Sequence, residues 1–286
     1  MTDRIEVTAP GKVNLLLRVL AREESGYHGV ETLLCRLRLA DEIAVERTST
    51  PGVRLDVHGP DTGPHEENLA TRAARLVLEA TGARFGVDLT LTKRIPVAAG
   101  LGGGSSDAAA ALQAVNALAG GAVPAHEILQ FAARLGADVP FFLAGGDLAL
   151  GWGHGDRLIA LPSLPSAPIL LVDTGIPIPT GDAYGWVDVA RADASRRGAL
   201  GLDLASLSSW GSIGRMAGND FEAAIFPRHP QIREAFEALA RTGPLLCRMT
   251  GSGSTVFGVY RTAGDRDDAA IQLGTRFGKV ISTDSA

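Results

Sequence analysis

At 286 residues the chain is longer than one hydrophobic core usually supports, which favours two domains or one large α/β unit. An apolar fraction of 45% with 21% charged residues excludes a disordered chain, and a formal net charge of −5 supplies no global field for nucleic acid or an anionic membrane. Two distant cysteines, six scattered histidines, and the lack of a signal-peptide core or of roughly 20 consecutive apolar residues argue against a disulfide scaffold, a clustered zinc site, export and membrane spanning, so a cytoplasmic enzyme is expected.

In chain order, Val13, Leu15, Leu17 and Val19 alternate with Lys12, Asn14, Leu16 and Arg18, the period of a strand on which Lys12 and Asn14 share a face. A turn over residues 23–29 leads into a second alternating strand, Leu33 to Leu39, and a third follows over Val53 to Val57. Asn68 is placed to cap a helix with apolar positions Leu69, Ala73, Leu76, Val77 and Ala80, and Gly82 to end it. Val87, Leu89 and Leu91 then form a strand that reaches Lys93 and a glycine-serine loop. Ser105 and Ser106 open an Ala-rich helix. A further helix runs from Pro124 through Leu135 to Gly136, and Asp138 lies just beyond it. The transition between domains is expected near Gly145 to Gly155, giving units of residues 1–155 and 156–286. Residues 169–173 read as a buried strand, 191–214 carry no assigned function, 232–239 read as a helix, and 249–255 as the bend of a hairpin.

The loop Pro96, Val97, Ala98, Ala99, Gly100, Leu101, Gly102, Gly103, Gly104, Ser105 and Ser106 has the chemistry of a phosphate cradle. Phosphate oxygens are bound by unpaired backbone N–H groups, which requires backbone without intervening Cβ atoms, and the helix that follows adds first-turn amides and its positive dipole end. The plainer reading is a tight turn before a helix. Asp107 is repulsive beside phosphate, so it is expected to cap the helix or to act indirectly near Mg²⁺. Gly11-Lys12 lacks the rest of a Walker loop, the dinucleotide fingerprint lacks its third glycine, and no G-x-S-x-G elbow occurs.

Three separated motifs, Ala9 to Asn14, Pro96 to Ser106 and Thr250 to Gly253, resemble those of the GHMP kinases in that superfamily's order. The resemblance implies an α+β, two-domain fold with a central active-site cleft, and ATP with Mg²⁺ as cofactors. Further segments, Gly26-Tyr27-His28, Glu67-Asn68-Leu69, Gly136 to Phe142 and Asn219 to Glu222, are similar to the branch that phosphorylates a cytidine diphosphate methylerythritol in non-mevalonate isoprenoid synthesis. Another small-alcohol kinase of mevalonate or homoserine type, or an inactive nucleotide-binding relative, is the alternative. By resemblance, Asp138 is the base and Lys12 its charged partner. Tyr27 and His28 would read cytosine with Tyr184 opposite, Asn14 would contact the methylerythritol hydroxyls, and Asn68 and Lys93 would lie near the adenosine end of ATP. Plainer readings stand beside these: a capping carboxylate for Asp138, a core aromatic for Tyr184, a strand-edge asparagine for Asn14, a helix cap for Asn68 and a solvent-facing strand lysine for Lys93.

Overall fold

The computed structural model describes residues 3–24, 26–82, 85–191, 203–277 and 279–286. Part of the 191–214 segment lies outside the described residues. In chain order the elements are β1 (Arg4–Arg22), β2 (His28–Thr48), β3 (Gly52–His58), α1 (Leu69–Thr81), β4 (Gly86–Thr92), α2 (Gly103–Leu118), α3 (Ala125–Leu135), α4 (Val139–Leu143), β5 (Leu148–Gly153), β6 (Arg157–Leu161) and β7 (Pro168–Val172). They continue with α5 (Thr180–Arg191), α6 (Trp210–Met216), β8 (Gly218–Asn219), α7 (Asp220–Ile225), α8 (Pro230–Ala240), β9 (Leu246–Met249), β10 (Val256–Val259), α9 (Ala263–Gly274) and β11 (Val280–Asp284).

Contacts divide these residues into two compact units interleaved in sequence, because β1 and β2 are long enough to serve both. The first comprises 1–11, 39–97 and 102–145, and the second 12–38, 98–101 and 146–286. The Gly145–Gly146 step falls in the glycine-rich stretch expected for a transition, while two earlier segments join the second unit.

In the first unit β4 pairs antiparallel with β2, from Glu42 opposite Thr92 to Thr48 opposite Gly86, and parallel with β3. Helix α1 forms where the sequence expects it. Asn68 accepts from the Ala70 amide, Gly82 turns into the left-handed region, and the alanine-rich inner face packs on α2. Helix α2 is buried along most of its length, which its small side chains permit, and it also packs against α3 and α4. It begins at Gly103, two residues before the expected Ser105, because Gly102 at φ 70° makes the turn that starts it.

In the second unit the four strands β11-β7-β10-β9 form an antiparallel sheet, with α8 against β9 and β10 and α9 against β7 and β11. Leu170, Val172, Met249, Val256 and Leu239 share its core. β5 pairs with the first half of β2, and the two-residue β8 pairs parallel with β1 at Leu16 and Leu17. The alternation expected over 12–19 holds as geometry but not as exposure. Every residue from Gly11 to Leu17 is buried, including Lys12 and Asn14. Among the described residues no helix is long and apolar enough to cross a membrane.

Candidate active site

Asn14 is the hub of the second unit. Its Oδ1 accepts from Lys12 Nζ (2.8 Å) and from the Gly251 amide (3.0 Å), and lies 3.2 Å from Thr250 Oγ1. Its Nδ2 donates to Thr32 Oγ1, which passes a hydrogen to the Leu16 carbonyl, and its own amide donates to Thr250 Oγ1. Thr250 Oγ1 also reaches the Gly100 carbonyl (3.1 Å), and the Lys12 amide donates to Leu101 O (2.9 Å). Asn14 thus joins its own motif directly to the Thr250 turn, with Gly251 lying 237 positions on, and the glycine-serine loop joins them through Thr250 Oγ1 and the Lys12 amide. The substrate contact expected of Asn14 has a structural role beside it. Burial, two N–H donors on its oxygen and a Thr250 hydroxyl shared with Gly100 O make it a joint between motifs, with one amide hydrogen remaining for other use.

The loop itself carries positive φ at Ala98, Gly100 and Gly102, and the Ser106 amide closes the first helical bond on Gly102 O. No side chain caps α2, so its first-turn amides have no side-chain acceptor. The Ser106 hydroxyl is buried without a hydrogen-bond partner among the described residues. At Gly104 the nearest atom to an added Cβ would be Leu69 Cδ1 at 3.9 Å. Protein packing does not require glycine there, and a helix disfavours it by roughly 1 kcal/mol relative to alanine. Orphaned donors with an open Cβ position fit a phosphate group. Among the described residues no three His, Cys, Asp or Glu side chains converge as a metal site.

Two acids and a lysine meet at the stem of this loop, and Lys93 is not the solvent-facing strand lysine of the plainer reading. The side chain is 3% exposed and donates to Asp41 Oδ2 and to Asp107 Oδ2, the latter at 2.8 Å. Asp107 does not cap the helix but takes that lysine bond, and its other oxygen, Oδ1, has no partner among the described residues. Burial foremost, and the Asp41 charge next among the raising influences, push the Asp107 carboxyl up to about 7 against the pull of Lys93.

Family models describing the N-terminal and C-terminal domains of GHMP kinases match residues 68–146 and 180–279. A 4-diphosphocytidyl-2-C-methyl-D-erythritol kinase of Deinococcus radiodurans is 40% identical over 94% of this chain and 88% of its own length. One from Symbiobacterium thermophilum is 39% identical over 98% and 99%. The chain belongs to the GHMP kinases. A crystal structure of 4-(cytidine 5'-diphospho)-2C-methyl-D-erythritol kinase superposes with a TM-score of 0.83 at 37% identity, covering 99% of each chain.

In this GHMP kinase His28 and Tyr184 are brought together, their rings stacked with centroids 5.1 Å apart, and Tyr184 also meets the edge of Phe221. His28 Nε2 lies 2.8 Å from Asp188 Oδ1. A carboxylate only accepts, so Nε2 carries the hydrogen. Tyr27 is 68% exposed, its ring 5.4 Å from that of His154. Asp138 occupies the N-cap of α4 but makes no capping hydrogen bond, so capping does not account for a carboxylate at this position. Asn68 does cap α1, and its amide nitrogen donates to Thr62 Oγ1.

Several residues escaped sequence reasoning. Asp41, Thr32 and Asp188 have partners too distant in sequence to signal themselves. The Asn219 to Glu222 segment carried a family signal without a role. In this kinase Asn219 Nδ2 donates to the carbonyls of Met249 and Gly251, and Glu222 Oε1 accepts from the Met249 amide, so the segment grips the Thr250 loop. Burial pushes Glu222 up to about 7, opposed by the Met249 amide and Arg248. A carboxyl raised in the folded state stabilises fully below its unfolded value and loses that contribution as pH rises through the folded one. Thermal denaturation of wild type and Glu222→Gln should therefore diverge between about pH 4.5 and 7, the variant gaining up to roughly 3 kcal/mol relative to wild type at pH 8. Curves that stay parallel would remove Glu222 from the pH dependence.

Proposed function

We propose that the chain transfers the γ-phosphate of ATP to the 2-hydroxyl of 4-diphosphocytidyl-2-C-methyl-D-erythritol, acting in the cytoplasm. The observation that carries this reading is the junction at Asn14, where the lysine motif, the glycine-serine loop and the Thr250 turn are joined by hydrogen bonds. Near end-to-end similarity to kinases of that name supports the acceptor.

The backbone of the loop and the Ser106 hydroxyl hold the phosphates. Lys12, aligned by Asn14, supplies positive charge near the group in transit. Asp138 orients the acceptor hydroxyl and takes its proton as the new P–O bond forms and the bond to the departing ADP breaks. An ordinary carboxylate, with pKa about 3.9, is too weak to deprotonate an alcohol beforehand, so its contribution is placement and late proton acceptance in a loose transition state. Mg²⁺ would neutralise the phosphate charge and arrive with the nucleotide. Tyr27, His28 and Tyr184 take the cytosine end. With Nε2 given to Asp188, a neutral His28 presents Nδ1 as an acceptor, which suits an exocyclic amino group.

ADP release measured with a panel of acceptors tests the assignment. Turnover is expected with the cytidine-containing alcohol and Mg²⁺, with mevalonate and homoserine at least about tenfold poorer, a difference of about 1.4 kcal/mol at the transition state. Equal or better turnover with either would replace the acceptor, and ATP binding without transfer to any of them would indicate an inactive relative.

A further inference from the structure

The cluster of Asp41, Lys93 and Asp107 has no part in the chemistry above, yet it stands at the root of the phosphate loop. Its three side chains are 0%, 3% and 3% exposed and comprise two acids and one base. Asp41 is well provided for, because beyond Lys93 its Oδ1 accepts from the amides of Arg94 (2.5 Å) and Ile95 (2.8 Å), the residues that lead into Pro96. Asp107 has one donor, Lys93, and faces the Asp41 carboxyl closely enough to share a proton with it, while its Oδ1 is buried and unpartnered among the described residues. An unshared buried charge is costly, and the acid with fewer donors is the one that takes up a proton.

We propose that Asp41, Lys93 and Asp107 are positioning residues for the phosphate-binding loop, fastening the segment that enters it to the helix that leaves it, with a proton on Asp107 when polyphosphate is bound. The fastening is a chain of contacts. Asp41 holds the Arg94 and Ile95 amides, Lys93 joins Asp41 to Asp107, and Asp107 lies in the early turns of α2. Gly103 completes it, since a Cβ there would sit 3.0 Å from Ile95 Cγ2 and 3.2 Å from Lys93 Nζ. With both acids ionised the cluster holds one excess negative charge near the helix start that faces the phosphates, so an arriving polyanion favours the protonated form. Lys93 and Asp41 are the charged groups acting on Asp107. The packed helices α1 and α3 carry Arg72, Arg75, Glu79, His126, Glu127 and Arg134, none of which is among its influences, and α4 carries no charged residue.

The proposal rests on the loop being a phosphate site, and it is testable without any acceptor. The whole protein is titrated calorimetrically with adenylyl imidodiphosphate and excess Mg²⁺ at pH 6, 7 and 8, in two buffers of different ionisation enthalpy. At pH 7 wild type is expected to take up about half a proton more than Asp107→Asn, and between pH 6 and 8 its affinity should fall about fivefold further than the variant's. Lys93→Met is expected to weaken binding more than about tenfold. Should it fail to fold, Asp41→Asn provides the same comparison. Equal proton counts and parallel pH profiles for wild type and Asp107→Asn would overturn the proposal. A wild type that binds no nucleotide would overturn the phosphate-site reading with it.

Discussion

Asp138→Asn is expected to lower kcat by roughly two to four orders of magnitude, the range for a positioned general base, while the Kd for ATP changes less than about threefold. Asparagine keeps the shape and one acceptor oxygen, so the hydroxyl can still be oriented. It cannot hold the proton released as the alcohol oxygen bonds to phosphorus. The backbone accepts the substitution. Asp138 leads into Val139 and Pro140, its backbone is already helical at φ −81° and ψ −16°, and its side chain contributes no cap that asparagine would lose. Stopped assays of ADP release, paired with a nucleotide titration, separate the two effects. A kcat within a few fold of wild type would remove Asp138 from the chemistry, and a matching loss of ATP affinity would make it a structural residue. Because Asp107 and Glu222 are raised acids in this kinase, a pH–rate limb near 7 should not be credited to Asp138 before those two have been substituted.

What could be read from the sequence was what short-range chemistry writes down. Helix α1 announced both ends, with Asn68 to cap and Gly82 to stop, and the hairpin of β9 and β10 was visible as two apolar runs around a glycine-serine bend. The start of α2 was misplaced because serine is the commoner cap, whereas here Gly102 makes the turn by its φ alone. Strands β5 and β6 lie in and beside a glycine-rich stretch, and the pairing of β5 with β2 and of β6 with β5 decides their conformation, a tertiary cause without a local pattern. The same limit applied at the site. Lys12, Asp138 and the loop stand out as candidates because motifs are contiguous. The partners of Lys93 lie 52 and 14 residues away, so a strand lysine looked solvent-facing when it is buried between two acids.

Two glycines of the loop should respond to alanine in opposite ways. Gly100 has φ 79°, and a Cβ there would collide with the Thr250 carbonyl oxygen and lie 3.1 Å from that of Gly253. Left-handed strain costs about 1 to 2 kcal/mol, and displacing the backbone of the Thr250 turn adds to it. Gly100→Ala is therefore expected to lower stability by roughly 2 to 4 kcal/mol and weaken ATP binding together. Gly121→Ala controls for strain alone, since Gly121 has φ 72° and nothing within 4 Å of the added atom. Gly104 is helical, and an added Cβ would meet only Leu69 Cδ1 at an ordinary 3.9 Å, so Gly104→Ala should raise stability by about 0.5 to 1 kcal/mol while weakening ATP at least about tenfold. Thermal melts and nucleotide titrations on the three variants give the signs. Unchanged affinity in Gly104→Ala would mean that phosphate does not approach α2 at that position, and the cradle would then have to be sought on the Ala98 to Leu101 side of the loop.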